Sequence, residues 1–279
     1  MKIRTAIKLL CPPVLWDLGR KIKSHLDNDQ LPNPLFRGPV DSWEEAVARS
    51  DGWDSSVITA KTLDLALKVR DGVIEFEQDT VIQRTINYSP TILAFIILTL
   101  ARHKNRLSII DFGGGLATNY FQNRRILQHL VDTPFMWNII ERPVFAQLGM
   151  QHLANSNLRF FLSLDEAVAE LPDFPDAFLF SGSLQCVAEP MSLLDKAIAL
   201  GAKTLAFDRL LVSPVSKHDV FIQHPDPQIY YPATYPVWCF SKDLFIQSLT
   251  SKGFSLVEHF TWNPDAHFDR CGMVFVSES

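Results

Sequence analysis

Three consecutive glycines follow a short apolar segment that ends in a carboxylate, and this spacing suits the binding of a nucleotide. Residues 108–111 are typical of a buried parallel strand that ends at Asp111. Gly113, Gly114 and Gly115 allow positive φ angles and give a ligand access to bare backbone. The helix predicted next directs its free N–H groups at the same place. The sequence therefore predicts a nucleotide-binding turn between a strand and a helix.

The residues around this turn argue against one class of nucleotide ligand. Asp111 stands where a dinucleotide fingerprint usually carries a small or apolar residue, and Thr118 stands where it carries its third glycine. Both departures disfavour NAD, although an NAD-dependent Rossmann enzyme stays an alternative. A second predicted strand, 137–140, is followed by Glu141, whose carboxylate can accept hydrogen bonds from both hydroxyls of a ribose.

The segment Asp111–Ala117, taken together with Glu141, resembles the class I S-adenosylmethionine-dependent methyltransferases. Its letters, Asp-Phe-Gly-Gly-Gly-Leu-Ala, have Ala117 in place of the last glycine of the family pattern Asp-x-Gly-x-Gly-x-Gly. The resemblance implies S-adenosyl-L-methionine as cofactor, with its methionine moiety at the glycine turn, its ribose at Glu141 and its adenine beside Leu162 or Ser163. The implied cofactor-binding residues are Asp111, Gly113, Gly114, Gly115, Glu141, Leu162, Ser163 and Ser181.

A narrower resemblance extends over nearly the whole chain. It is to a group of bacterial proteins assigned as methyltransferases and encoded among genes for surface-polysaccharide assembly. It implies a small-molecule or glycan acceptor, methylated on a hydroxyl or an amine of a sugar nucleotide or a lipid-linked glycan. A catalytically inactive methyltransferase-like module that binds or scaffolds other enzymes is an alternative. The segments that carry the resemblance are 36–46, 52–54, 111–115, 184–185, 208–209 and 220–223.

Composition and charge exclude several other classes. The 279 residues are 47% hydrophobic and 20% charged, which is typical of a globular protein with one main domain and a small appendage. A net charge of -5 argues against a nucleic-acid partner. No cysteine or histidine spacing matches a metal site, so no metal and a reduced, cytoplasmic protein are expected. The segment around Ser183 lacks the second glycine of a nucleophile elbow, which disfavours a serine hydrolase.

The first 24 residues are basic, with six lysines and arginines against one aspartate. Pro12 and Pro13 interrupt the segment, so no signal peptide is predicted. Two interpretations stay open: a helix packed on the protein's own core, and peripheral contact with an anionic membrane surface at the inner face. The oligomeric state is not determined by the sequence.

The elements that position these residues form two predicted regions. Residues 1–85 are expected to form an N-terminal helical cap with a proline-rich linker at 25–40. Residues 86–279 are expected to form a doubly wound, Rossmann-like α/β domain that begins with a buried helix at Pro90, capped by Ser89. The last strand is predicted to be antiparallel, either at the edge or inserted beside the fifth. The seven strands are predicted at 108–111, 137–140, 158–162, 177–180, 204–207, 255–260 and 271–276.

An insertion of more than thirty residues, about 208–240, separates the fifth strand from the helix near Ser241. Loops this long are usually functional, so we expect it to form the wall of the acceptor pocket, with a simple covering lid as the alternative. Asp208 and His224 are the predicted catalytic residues, and His224 is the expected base because its unperturbed pKa lies near working pH. The predicted substrate-binding residues are Gln223, Tyr230, Tyr235 and Trp238.

Overall fold

The computed structural model describes residues 35–52, 56–103, 107–130, 135–171, 175, 177–225, 233–262 and 268–278. The basic segment 1–24 and Tyr230 therefore lie outside the described residues. The helices are α1 (Trp43–Ala48), α2 (Ser56–Arg70), α3 (Pro90–Arg102), α4 (Thr118–Leu130), α5 (Pro143–His152), α6 (Leu164–Ala169), α7 (Pro190–Ala199) and α8 (Lys242–Thr250), and a 3₁₀ turn covers Leu184–Cys186.

Twelve strands are assigned in these residues, and ten of them form one sheet. They are β1 (Phe36–Val40), β2 (Phe76–Gln78), β3 (Val81–Gln83), β4 (Ser108–Phe112), β5 (Met136–Ile140), β6 (Leu158–Phe161), β7 (Ala177–Ser181), β8 (Thr204–Ser213), β9 (Asp219–Gln223), β10 (Tyr235–Ser241), β11 (Phe254–Thr261) and β12 (Asp269–Ser277).

The centre of the sheet is parallel, in the order β6-β5-β4-β7-β8. These strands are short apolar runs covered on both faces, which is the pattern of a parallel sheet in an α/β protein. β12 lies antiparallel between β8 and β11, so the last strand is inserted beside the fifth predicted strand rather than placed at the edge. The carboxyl ends of the five parallel strands meet at one edge of the sheet, where ligands bind in such folds.

The sheet has more strands than the predicted seven, and an all-helical cap is not confirmed, because the described part of residues 1–85 contains β1, β2 and β3 as well as α1 and α2. β1 lies in the segment that the prolines had marked as a linker, and it pairs antiparallel with β9 from the predicted insertion. Pro39 is tolerated because β1 is an edge strand. β2 and β3 form a separate hairpin. The boundary between the two predicted regions at residue 85 stays a prediction.

Two apolar layers cover the faces of the parallel strands. α3 is the buried helix that the sequence predicts: Ile92, Phe95 and Ile96 pack in the layer that also holds Ile109 and Trp137. Its N-cap is confirmed, since the Ser89 hydroxyl accepts a hydrogen bond from the Ile92 N–H. The opposite layer covers the sheet with side chains of α6, α7 and α8.

None of the helices in the described residues is both long and apolar enough to cross a bilayer.

Candidate functional site

The predicted turn between β4 and α4 is built by three residues with positive φ. Gly113 (φ 69°) leaves the strand, and its N–H donates to the Ile140 carbonyl at 2.9 Å, which joins the ends of β4 and β5. Gly115 (φ 59°) has no atom within 4 Å of the position that a Cβ would occupy. Ala117 (φ 71°) follows, fully buried, and α4 begins at Thr118. The backbone at Gly115 is therefore open to close approach by a ligand.

The side chain of Asp111 packs against the backbone of this turn. Its side chain is fully buried, and its Oδ2 accepts hydrogen bonds from the Trp137 indole N–H at 3.0 Å and from the Asn119 amide at 3.3 Å. Burial raises the pKa of Asp111 to about 7. A Cβ at Gly114 would lie 2.7 Å from the Asp111 carboxyl carbon, so a glycine is required where the turn crosses the carboxyl group.

Glu141 lies at the end of β5, beside the turn. Its carboxylate accepts hydrogen bonds from the Gly115 N–H at 3.3 Å and from the Arg142 N–H at 2.7 Å. Burial raises the pKa of Glu141, whose side chain is 13% exposed. A carboxylate has about four acceptor positions, so two such bonds leave capacity for the hydroxyls of a ribose.

The end of β7 packs directly against the glycine turn. The Ser183 hydroxyl donates to the Phe112 carbonyl at 2.5 Å, and a Cβ at Gly113 would lie only 2.5 Å from the Ser183 Cβ. Gly182 (φ 66°) donates its N–H to the Asp208 carbonyl at 2.8 Å. Backbone bonds and side-chain contacts thus join the ends of β4, β7 and β8 into one continuous surface.

Asp208, in β8, is a further buried carboxylate of this site. Its Oδ1 accepts a hydrogen bond from the Ser89 hydroxyl at 2.7 Å, and its Oδ2 accepts one from the Ser181 hydroxyl at 2.8 Å. The side chain is 4% exposed. Ser89 comes from the N-terminus of α3 and Ser181 from the end of β7, so Asp208 holds a helix and two strands together.

The β2–β3 hairpin connects the two ends of this site. Glu77 is buried and accepts a hydrogen bond from the Thr118 hydroxyl at 2.8 Å, at the start of α4. Burial raises the pKa of Glu77. At the hairpin tip, Asp79 forms an ion pair of 2.7 Å with the guanidinium of Arg209, the residue that follows Asp208 in β8. The hairpin therefore contacts both the glycine turn and the surroundings of Asp208.

Two predicted cofactor residues lie apart from these contacts. The Ser163 hydroxyl accepts a hydrogen bond from the Glu166 N–H and caps α6, and the Leu162 N–H donates to the Glu166 carboxylate. The Ser163 hydroxyl and the Leu162 N–H are thus both used in local structure at the start of α6. The Leu162 side chain is 48% exposed, at the end of the strand next to β5.

The predicted acceptor residues of the insertion are mostly part of its packing. Tyr235 is buried, and burial raises the pKa of its hydroxyl. The indole ring of Trp238 stacks on Trp43 with centroids 6.0 Å apart, and its N–H donates to the Val187 carbonyl. Gln223 lies within the strand pairs of β9, opposite Tyr235 on one side. The described part of the predicted pocket wall is therefore a pair of strands, β9 and β10, in which Tyr235 is buried and Trp238 is partly buried.

The described contacts of His224 lie on the β1 side of the sheet. Its backbone N–H donates to the Leu35 carbonyl, and burial and the Arg37 guanidinium lower the pKa of its imidazole. His224 follows β9, and β10 lies between β9 and β8 in the order of the sheet. The choice of His224 as the base stays a prediction, since these contacts do not join it to Asp208. Sequence reasoning chose it for its pKa, which says nothing of its place in the sheet.

Four residues complete the site that sequence reasoning did not assign to it: Ser89, Glu77, Asp79 and Arg209. Ser89 had a visible role as a helix cap, and its contact to Asp208 spans 119 positions. Arg209 and Asp79 are 130 positions apart. Contacts of this separation leave no periodic signal in a single sequence. In the described part of the chain, no group of three or more His, Cys, Asp or Glu side chains could hold a metal ion.

Comparison with known proteins adds structural similarity only. No protein-family model matches the chain, and no curated protein matches it. Three similar solved structures are a magnesium protoporphyrin IX methyltransferase from Synechocystis with bound SAM, a 1,6-didemethyltoxoflavin-N1-methyltransferase from Burkholderia thailandensis, and a SAM-dependent methyltransferase from Methanosarcina mazei.

Their sequence identities to this chain are 14%, 14% and 11%, in the same order, and their TM-scores are 0.42, 0.43 and 0.46. The matches cover 67%, 90% and 68% of this chain, and 78%, 98% and 98% of the other chains. Because the TM-scores lie below 0.5, the functional assignment depends on the residues of this chain.

Proposed function

We propose that this protein is an S-adenosylmethionine-dependent methyltransferase that acts on a small-molecule acceptor. The observation that carries the proposal is the hydrogen bond between the Gly115 N–H and the Glu141 carboxylate. An open glycine turn at the end of one parallel strand and a buried carboxylate at the end of the next share a hydrogen bond of 3.3 Å. Bare backbone and a carboxylate that could accept ribose hydroxyls thus lie side by side, and this supports an adenosine cofactor.

In this proposal the cofactor supplies an activated methyl group on a sulfonium. Glu141 binds the ribose hydroxyls, and the backbone of Gly113, Gly114 and Gly115 receives the methionine moiety. Leu162, an exposed apolar side chain after β6, covers the adenine. Asp111 acts on the turn and not on the ligand, because its carboxyl group is enclosed beneath Gly114.

Asp208 is the residue that we propose for the acceptor side. Asp208 is buried in β8, which is separated by β7 from the strand that leads into the glycine turn. Its two oxygens accept hydrogen bonds from the hydroxyls of Ser89 and Ser181. A carboxylate fixed in this way can accept the proton of an acceptor hydroxyl or orient an acceptor amine. Positioning supplies much of the acceleration of a displacement reaction, so one oriented acid is sufficient for the chemistry.

The pathway is proposed from the sequence alone. The narrower resemblance favours an acceptor used in surface-polysaccharide assembly, a sugar nucleotide or a lipid-linked glycan. The basic segment 1–24 leaves two possibilities, a helix packed on the protein's own core and peripheral contact with anionic lipid. Sedimentation with anionic vesicles at low and high salt tests the second, because screening weakens such contact.

Calorimetric titration with S-adenosylmethionine, S-adenosylhomocysteine and NAD tests the cofactor. We expect micromolar affinity for the first two, and a loss of about 1–3 kcal/mol in Glu141→Ala because charge-assisted hydrogen bonds are removed. Asp165→Asn, which breaks a surface pair with Lys196, is the matched control and should bind normally. Tight binding of NAD, or an affinity unchanged in Glu141→Ala, would refute the proposal.

A further inference from the structure

Arg209 occupies a β-bulge. Phe207 of β8 lies opposite Met273 and Leu210 lies opposite Cys271, so Asp208 and Arg209 together face the single residue Gly272 of β12. Arg209 has φ 54°, in the left-handed region that a non-glycine residue rarely adopts. Bulges redirect side chains and occur often beside active sites. Here the guanidinium is directed along the carboxyl edge of the sheet, with its Nη2 3.5 Å from the Ser181 carbonyl and its Nε 3.8 Å from Asp208 Oδ2.

Asp79, whose carboxylate pairs with Arg209, lies in a strained turn. Asp79 and Thr80 form the two-residue connection of the hairpin, with φ values of 50° and 66°. Neither is glycine, and Thr80 is β-branched, so the turn is unfavourable on its own and is held by its surroundings. The Asp79 side chain is 50% exposed, and ion pairs at such exposure contribute little to stability. A ligand anion can therefore replace Asp79 on Arg209 at low cost.

A second arginine lies on the same face of the sheet. Arg270 of β12 is directly opposite Leu211 of β8, and residues opposite each other in an antiparallel pair point to the same side. Leu211 packs with Tyr235, and Cys186 packs against that cluster. Both Tyr235 and Cys186 lie within the electrostatic reach of Arg209 and Arg270.

The carboxylate of Asp79 is the displaceable one at this place. Within the ranges that the structure describes, no ion pair of 4.0 Å or less joins a carboxylate to Arg270, which is exposed. Arg209 contacts two carboxylates: the half-exposed Asp79 at 2.7 Å, and the buried Asp208, whose oxygens each accept a serine hydroxyl, at 3.8 Å. Two guanidinium groups with one displaceable carboxylate have the composition of an anion site.

We propose that Arg209 and Arg270 form a subsite for a carboxylate or phosphate group of the acceptor, and that Asp79 occupies Arg209 when this group is absent. The assignment of this anion to the acceptor rests on the proposed methyl transfer, whereas the anion site itself does not. The acceptors are then acidic small molecules, such as sugar acids or phosphate esters. Their methylated hydroxyl or amine lies a short distance from the charged group. A neutral acceptor would leave Asp79 in place.

Calorimetric titration with inorganic phosphate and with acetate, at constant ionic strength, tests the subsite. In Asp79→Asn we expect phosphate to bind about threefold tighter or more, because the competing carboxylate is removed. In Arg209→Gln and Arg270→Gln we expect about tenfold weaker binding. Arg209→Lys should recover part of the affinity, since it restores the charge without the paired donors. The anion that gains more from Asp79→Asn identifies the group, phosphate or carboxylate.

Asp64→Asn removes a surface carboxylate from an ion pair with Lys68 and is the control for a general change of charge. Each variant is also titrated with S-adenosylhomocysteine, which reports the proposed cofactor site separately from the anion site. If phosphate binding is the same in wild type and Asp79→Asn, or is unaffected by Arg270→Gln, the subsite is refuted. If S-adenosylhomocysteine fails to bind while the phosphate results hold, the proposed methyl transfer is refuted and the anion site stands.

Discussion

The two sides of the candidate site are built in different ways. The donor side, from Asp111 to Glu141, lies within one βαβ unit, and its main contacts join neighbouring strands. The acceptor side joins Ser89, Asp208 and the hairpin tip at Asp79, which come from three distant parts of the chain. A site made by local chain order is fixed once its strands pair. A site made by distant contacts can change its ligand when one contributing segment changes, without disturbing the sheet.

The most damaging single substitution we expect is on the donor side. Gly114→Val would place a Cβ 2.7 Å from the carboxyl carbon of the buried Asp111, and the two hydrogen bonds on that carboxyl group prevent it from moving away. We expect a loss of about 1–3 kcal/mol in unfolding free energy from overpacking, and no measurable S-adenosylhomocysteine binding by calorimetry.

Gly149→Ala is the matched control for this substitution. Its Cβ would lie 2.3 Å from the Phe160 ring, between α5 and β6. It should destabilise the protein by a similar amount and leave the cofactor affinity of the folded protein unchanged. If Gly114→Val retains normal affinity, the turn is not the cofactor site.

The buried acid of the donor side should also give the protein a distinctive pH dependence. Burial raises the pKa of Asp111 from 3.8 to about 7, so the folded state holds a proton that the unfolded state has released. The stability from this group is complete below about pH 4 and is lost as the pH rises through about 7, with a slope of at most about 1.4 kcal/mol per pH unit.

Asp111→Asn cannot titrate and can still accept the Trp137 and Asn119 hydrogen bonds. Urea unfolding between pH 4.5 and 7.5 should therefore show a flatter profile than wild type. Glu77 and Glu141 have pKa values raised by burial and add to the wild-type slope in the same direction, so the difference between the two proteins is the measure. Equal slopes would show that Asp111 is ionised throughout.

The strands and the glycine turn of the proposed donor side are predicted well by the sequence because the information for them is local. Apolar runs, glycines and a carboxylate after each strand occur in order between residues 108 and 141. Ser181 and Asp208 were also found by their positions after strands, but their mutual contact and the role of Ser89 require the folded sheet. The pairing of β1 with β9 was missed because three prolines made residues 25–40 resemble a linker. Aromatic residues of the insertion suggested a pocket, whereas Tyr235 is buried and Trp238 stacks on Trp43.

Substitutions on the acceptor side should affect turnover more than cofactor binding. Once an acceptor is identified, Asp208→Asn should lower turnover about tenfold or more with S-adenosylhomocysteine affinity nearly unchanged. His224→Ala should keep turnover within about twofold, because His224 follows β9, and β10 separates β9 from β8, the strand of Asp208. Steady-state kinetics of both variants measure this difference. A loss of turnover in His224→Ala alone would restore the base that the sequence had suggested.

The smallest effects that we expect come from relieving backbone strain, which occurs on both the proposed donor side and the proposed acceptor side. Thr80 in the hairpin tip and Ala117 in the glycine turn both have positive φ, at 66° and 71°. Thr80→Gly should raise the unfolding free energy by about 0.5–1 kcal/mol, because relief of the left-handed strain exceeds the extra entropy of glycine in the unfolded chain. Ala117→Gly should be near neutral, since its buried methyl group contributes packing that glycine lacks.

Urea unfolding measures both changes, and the same Thr80→Gly protein connects strain to the anion site. A relaxed turn holds Asp79 less firmly on Arg209, so phosphate should bind more tightly than in wild type, though less tightly than in Asp79→Asn. The Thr80 N–H bond to Glu77 is a backbone contact and survives the substitution, so the hairpin stays in place. A stabilised protein with unchanged phosphate affinity would mean that strain in this turn does not control the access of an anion to Arg209.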